Sequence, residues 1–169
     1  HDVFAPTESR KYTLGERMLA ELEKEAPAEP YTKLVRLFRE ALSADKAGAA
    51  RIVRELEALG EAVPESRLVL AGMLGYYRHP VRETVLGRQV RDLDRSLAEL
   101  QGILGREPLH VLAHMDLGVL AIELGDYGLA HRELSFAARN APAWGEPPFF
   151  LGRVAYLQGR PEDALALFD

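Results

Sequence analysis

A chain of 169 residues with 47% hydrophobic and 28% charged side chains has the composition of one folded domain, neither disordered nor fibrous. No uninterrupted run of 18 apolar residues is present to cross a membrane, and a net charge of −5 without a basic tract argues against a surface built to cover nucleic acid phosphates. The lack of cysteine removes disulfides, thiolate metal sites and cysteine nucleophiles together.

Good helix formers fill most windows, and no sustained alternation of β-branched and polar residues predicts a strand. Residues 1–8 lack periodicity and are expected to form a loose arm. From about Ser9 to Ala26, Leu14, Met18, Leu19 and Leu22 recur at three and four, predicting an amphipathic helix that Pro27 and Pro30 end. Pro30 opens a second helix to about Ser43, with Leu34, Leu37, Phe38 and Ala41 on one face. A third follows the ADKAG turn and carries Ala49, Ile52, Val53, Leu56 and Leu59 to Gly60. A fourth runs from Pro64 through Leu68, Leu70, Met73 and Leu74 to the cluster Tyr76, Tyr77, Arg78 and His79. After Pro80 the spacing of Val81, Leu86, Val90, Leu93, Leu97, Leu100 and Leu104 predicts a single helix of roughly 36 Å, long enough to project beyond its neighbours.

Beyond Pro108 the pattern repeats. A shift of 34 places pairs Pro108 with Pro142, Leu117 with Leu151, Gly118 with Gly152, Ala121 with Ala155, Gly125 with Gly159, Ala130 with Ala164 and Leu134 with Phe168. A helical hairpin needs these residue types at these places: a small residue where helices approach, a glycine to close the first helix, a proline to end the second.

These residues resemble the tetratricopeptide repeat, a helix–turn–helix unit of about 34 residues. Val111 to Pro142 fits through Leu117, Gly118, Ala130, Leu134, Ala137 and Pro142, and Gly145 to Asp169 through Leu151, Gly152, Gly159, Ala164 and Phe168. His114 and Pro148 stand where the family has Trp, and Ala121 and Ala155 where it has Tyr. The likeness is clear over 108–169 and degenerate over 9–107, where Ser96, Leu100, Ile103 and Pro108 fit a second helix and DKAGAA an inter-helix turn. It implies an all-α, right-handed α-solenoid of four helix pairs behind a leading helix; the other reading is an irregular helical bundle capped by two repeats.

The resemblance also implies a concave face on the first helix of each pair that holds a protein or peptide partner. Carried over by register, this groove is Met115, Val119, Ile122 and Glu123 in one repeat, Phe149, Arg153 and Tyr156 in the next, and Tyr76 before them. At helical spacing, Met115, Val119 and Ile122 equally suit burial against an adjacent helix. Met115 and Val119 replace the Lys and Asn with which many family members clamp chaperone tails, so that ligand is not expected.

Arg78, His79 and Arg82 beside Tyr76 and Tyr77 form a candidate anion site, or else a helix end complemented by positive charge. His110 and His114 stand four apart on one helix, a metal-compatible spacing, but no third ligand accompanies them and no metal or other cofactor is expected. The phosphate loop, the H-E-x-x-H zinc helix and the G-x-S-x-G elbow are all missing from the sequence, so the expectation is a scaffold without catalysis. The last segment, PEDALALFD, supplies roughly two turns where the repeat has about four. The chain is therefore expected to be a piece of a longer protein, and self-association or linkage of neighbouring domains is the alternative function. Seventeen Arg against four Lys, with few amides, suits either heat adaptation or a GC-rich genome.

Overall fold

The computed structural model describes residues 17, 19–41, 46–75 and 92–168, and every regular element among them is helical. Helix α1 covers residues 19–25. It is followed by α2 (Pro30–Ala41), α3 (Lys46–Leu59), α4 (Glu65–Gly75), α5 (Leu93–Arg106), α6 (Val111–Leu124), α7 (Tyr127–Asn140), α8 (Glu146–Leu157) and α9 (Pro161–Phe168).

Local chemistry sets these limits. Pro30 takes the first position of α2, where a backbone N–H would lack an intrahelical partner anyway. Asp92, His110 and Asp126 cap α5, α6 and α7; each side chain accepts from the N–H three residues on, Arg95 at 3.0 Å, Ala113 at 3.1 Å and Leu129 at 2.9 Å. Helices α6 and α8 stop at Gly125 and Gly159, whose φ angles of 77° and 75° suit glycine best. The following N–H then closes each last turn: Asp126 donates to the Ala121 carbonyl and Arg160 to that of Ala155, both at 2.9 Å. The two turns stand 34 residues apart in the sequence and have the same geometry.

Two expectations are corrected. The long helix from Val81 to Leu104 is not one piece: Asp92 is extended (φ −146°, ψ 94°), and its carboxylate starts a new helix at Leu93. At 14 residues α5 matches α3, α6 and α7, so it has no excess length with which to project. Helix α3 begins at Lys46, so Lys46, Ala47 and Gly48 of the expected turn are helical. The boundaries expected near Ser9, Ser43 and His79 lie outside the described residues.

The helices pack chiefly on their neighbours in sequence; α4 also reaches α6, and α6 reaches α8. Two apolar cores meet at α4. Leu34, Leu37, Ile52, Leu56, Val63, Leu70 and Met73 form the first, between α2, α3 and α4. Ala71, Leu100, Ile103, Leu120, Leu134 and Val154 belong to the second, which extends from α4 to α8. Helix α4 can serve both because Leu70 to Gly75 are all buried, as expected of a helix that is apolar all round. Its polar groups are satisfied: Ser66 Oγ donates to the Leu56 carbonyl at 3.1 Å, and Ser96 Oγ donates to the Ala71 carbonyl at 2.7 Å.

The surface of α5 offers a clean test of helix propensity. A methyl group added at Gly105 would meet nothing within 4 Å, and at Gly102 only Arg106 Nη1 at 3.9 Å. Gly102→Ala and Gly105→Ala are each expected to stabilise the fold by about 0.5–1 kcal/mol through lost chain entropy in the unfolded state, read as a higher melting temperature.

Between α2 and α3, Arg51 binds Glu40 and Glu55 together, and Lys33 adds a second contact to Glu55 at 3.3 Å. The Arg51 hydrogen bond, opposed by partial burial and helped by Lys33, holds the Glu55 carboxyl below its ordinary 4.5. A depressed folded-state pKa contributes stability that is present above the unfolded value and is lost as pH falls through the folded one. Glu55→Gln is therefore expected to cost at most about 1 kcal/mol at neutral pH, a gap that closes on acidification in melts recorded from pH 7 to about pH 3.

Candidate functional site

Helix α8 brings together the predicted residues that remain accessible. Phe149, Arg153 and Tyr156 recur at i, i+4 and i+7 and so share one face. Phe149 is 54% and Tyr156 65% exposed. Arg153 Nη2 lies 3.5 Å from Glu123 Oε1 on α6, so the two predicted groove charges form an ion pair across the stacked helices. In the sequence Glu123 and Arg153 stand 30 residues apart, and no local spacing rule pairs them; the contact is made by the packing of α6 and α8.

The face extends onto α9. The Phe149 ring packs edge-on to Phe150 with centroids at 5.3 Å and lies 5.6 Å from Phe168. Gly145, Phe149, Leu167 and Phe168 line a shallow, mostly apolar depression there. Its chemistry suits an apolar or aromatic side chain.

Met115 and Val119 are corrected. They are 3% and 5% exposed, in the core cluster that Ala71 of α4 and Val154 of α8 complete, and so do not line an accessible groove. Ile122 joins them at 5%. The reason is α6 itself, which is buried from Met115 to Ile122 without a break and is packed against α4, α5, α7 and α8. Neighbouring helices pack over the positions that the resemblance assigned to the groove. Tyr76 and the candidate anion residues Arg78, His79 and Arg82 lie outside the described residues.

The two histidines at the start of α6 are engaged by the protein. His110 Nδ1 accepts from the Ala113 N–H and caps the helix. His114 Nδ1 lies 2.6 Å from Glu133 Oε2, and its Nε2 donates to the Pro108 carbonyl at 2.9 Å. Its ring lies on Phe136 at 3.8 Å, while Arg132 Nε donates to the other Glu133 oxygen at 2.9 Å. This set ties α6 to α7 and leaves neither His114 nitrogen aimed at His110. Among the described residues no group of three or more His, Cys, Asp or Glu side chains is arranged to hold a metal ion, and no helix is long and apolar enough to cross a membrane. No protein-family model matches the chain, and no curated protein matches it in sequence.

Proposed function

We propose that the chain is a non-catalytic interaction scaffold: tetratricopeptide-type hairpins stacked as a right-handed α-solenoid, with the outer face of α8 and α9 offered to a protein or peptide partner. The observation that carries this reading is the equivalence of the last two hairpins. Gly118 of α6 lies against Leu134 of α7, and Gly152, its counterpart one repeat later on α8, lies against Phe168 of α9. Both first helices end in the same glycine turn. Recurrence of a close approach and of a turn at one period is what stacked repeat units require, because each unit buries its apolar faces only against the next.

Arg153 and Tyr156 are the residues on which partner recognition rests, since aromatic and Arg side chains carry much of the energy of interfaces. The test is affinity capture from native lysate with the wild-type chain, Arg153→Glu and Tyr156→Ala side by side. The reading expects a bound species that both substitutions weaken at least roughly tenfold, equivalent to about 1.4 kcal/mol. Capture indifferent to both substitutions overturns it. A second reading, self-association, is favoured by the exposed apolar side chains Phe149, Tyr156, Leu165 and Phe168 of α8 and α9.

A further inference from the structure

The start of α6 carries two histidines whose contacts demand opposite protonation. His110 Nδ1 accepts from the Ala113 N–H at 3.1 Å, so this nitrogen keeps its lone pair and the ring proton sits on Nε2. His114 makes the reverse demand. Its Nδ1 lies 2.6 Å from Glu133 Oε2 and its Nε2 lies 2.9 Å from the Pro108 carbonyl. A carboxylate and a carbonyl can only accept, and two N–H donors exist on one ring only in the imidazolium form. A carboxylic acid is the stronger acid of the two by about two pKa units in water, so the proton shared with Glu133 stays on the ring.

Together these contacts fasten three elements. Pro108 stands in the turn 107–110 that joins α5 to α6, Glu133 stands on α7, and Phe136 of α7 lies on the His114 ring. The His110 N–H also donates to the Glu107 carbonyl at 3.0 Å, which makes the cap part of the same turn. The His114 and Glu133 side chains are 13% and 10% exposed, so water is poorly placed to replace a lost partner.

The surrounding charges separate the two rings. Glu133 favours a cation at His114, tempered by Arg132 on the same helix. Among the described residues no charged side chain of α4, α5 or α8 comes within ion-pair distance of His114, and Asp116, two positions on, faces another way around α6. His110 instead sits at the positive end of α6, where a cation is disfavoured. Glu65 of α4, with Arg106 and Glu107 at the end of α5, lines the small cleft beside it. The Glu65 carboxylate accepts from the Tyr31 hydroxyl, and Arg106 and Glu107 are opposite in sign.

We infer that this pair makes the joint between α5 and the α6–α7 hairpin sensitive to protons in both directions. The joint is fully fastened while His110 is neutral and His114 is doubly protonated. Acid turns His110 into an imidazolium with no lone pair to cap α6, and base takes a proton from His114 and breaks its contact with Pro108 or with Glu133. His114 therefore contributes stability at low pH that is lost as pH rises, and His110 the reverse. Histidine is the side chain whose ordinary titration lies between about pH 5 and 8, the range in which such a joint responds. The inference concerns the helix stack itself and stands whether or not α8 and α9 bind a partner.

The test is thermal melting of the full chain from about pH 5 to about pH 9 for the wild type, His110→Asn and His114→Gln. Asparagine caps a helix without titrating, so the wild type is expected to fall behind His110→Asn by about 2–4 °C on acidification, the worth of one cap. Glutamine carries no charge, so the wild type is expected to melt above His114→Gln at low pH and the gap to narrow as pH rises. A purely structural role gives a constant gap, and a gap independent of pH in either comparison overturns the inference. At the pH of its highest melting temperature, nitrogen-15 NMR of the wild type is expected to show His114 protonated on both nitrogens and His110 on Nε2 alone. A neutral His114 there overturns the inference as well, and this measurement decides if the His114 variant does not fold.

Discussion

Met115→Ala is expected to lower the unfolding free energy by about 2–5 kcal/mol, while Phe149→Ala, 34 residues further on, is expected to cost less than about 1 kcal/mol. Met115 sits at 3% exposure among Val119, Leu120 and Ile122, with α4 and α8 closing the space around α6, so truncation leaves a cavity that stacked helices cannot easily collapse. Phe149 already gives half its surface to water, and its ring contacts are with its neighbour Phe150 and with the half-exposed Phe168. Denaturant titration of the two variants against wild type checks this contrast. Equal losses at both positions would mean that Phe149 is as deeply packed as Met115, and the accessible face of α8 would have to be abandoned.

Gly118→Ala is expected to destabilise by about 1–3 kcal/mol, although alanine is the better helix former by about 1 kcal/mol. The added methyl group would come to 2.6 Å from Leu134 Cγ and 2.9 Å from Cδ2, and to 3.2 Å from the Leu134 backbone nitrogen. A side chain can rotate away, but Leu134 is fully buried and its backbone belongs to α7, so relief requires the two helices to part. Gly152→Ala meets the Phe168 ring instead, which is 49% exposed and free to swing outward. Its effect is expected to be small, or stabilising once the propensity gain is counted. Thermal melts of the two single variants distinguish them, and Leu134→Ala added to Gly118→Ala is expected to cost less than the sum of the two changes, because it removes the atoms that clash.

The helix succession was legible because its causes are local. Pro30 at a helix start and Gly125 and Gly159 at helix ends act through the φ angles and N–H groups of their own turns. Asp92 acts in the same local way, but the regular spacing of Val81 to Leu104 drew a single helix through it, since leucine periodicity continues across a cap that the chain nevertheless obeys. Of the candidate groove, helical spacing alone places Phe149, Arg153 and Tyr156 on one face of α8, whereas the ion pair of Arg153 with Glu123 on α6 is a contact made by the fold.

By itself, then, the sequence determined an all-helical chain, the turns of its last two hairpins and the angular position of each side chain around its helix, because hydrogen bonds and caps within a turn involve residues close along the chain. Only the tertiary structure decided that Met115 and Val119 are core while Phe149 and Tyr156 are surface. The paired positions share a register, and they differ in whether another layer packs over them. Periodicity states the direction in which a side chain points. Burial depends on what stands opposite, and for α6 that is helices drawn from both sides of it in the chain.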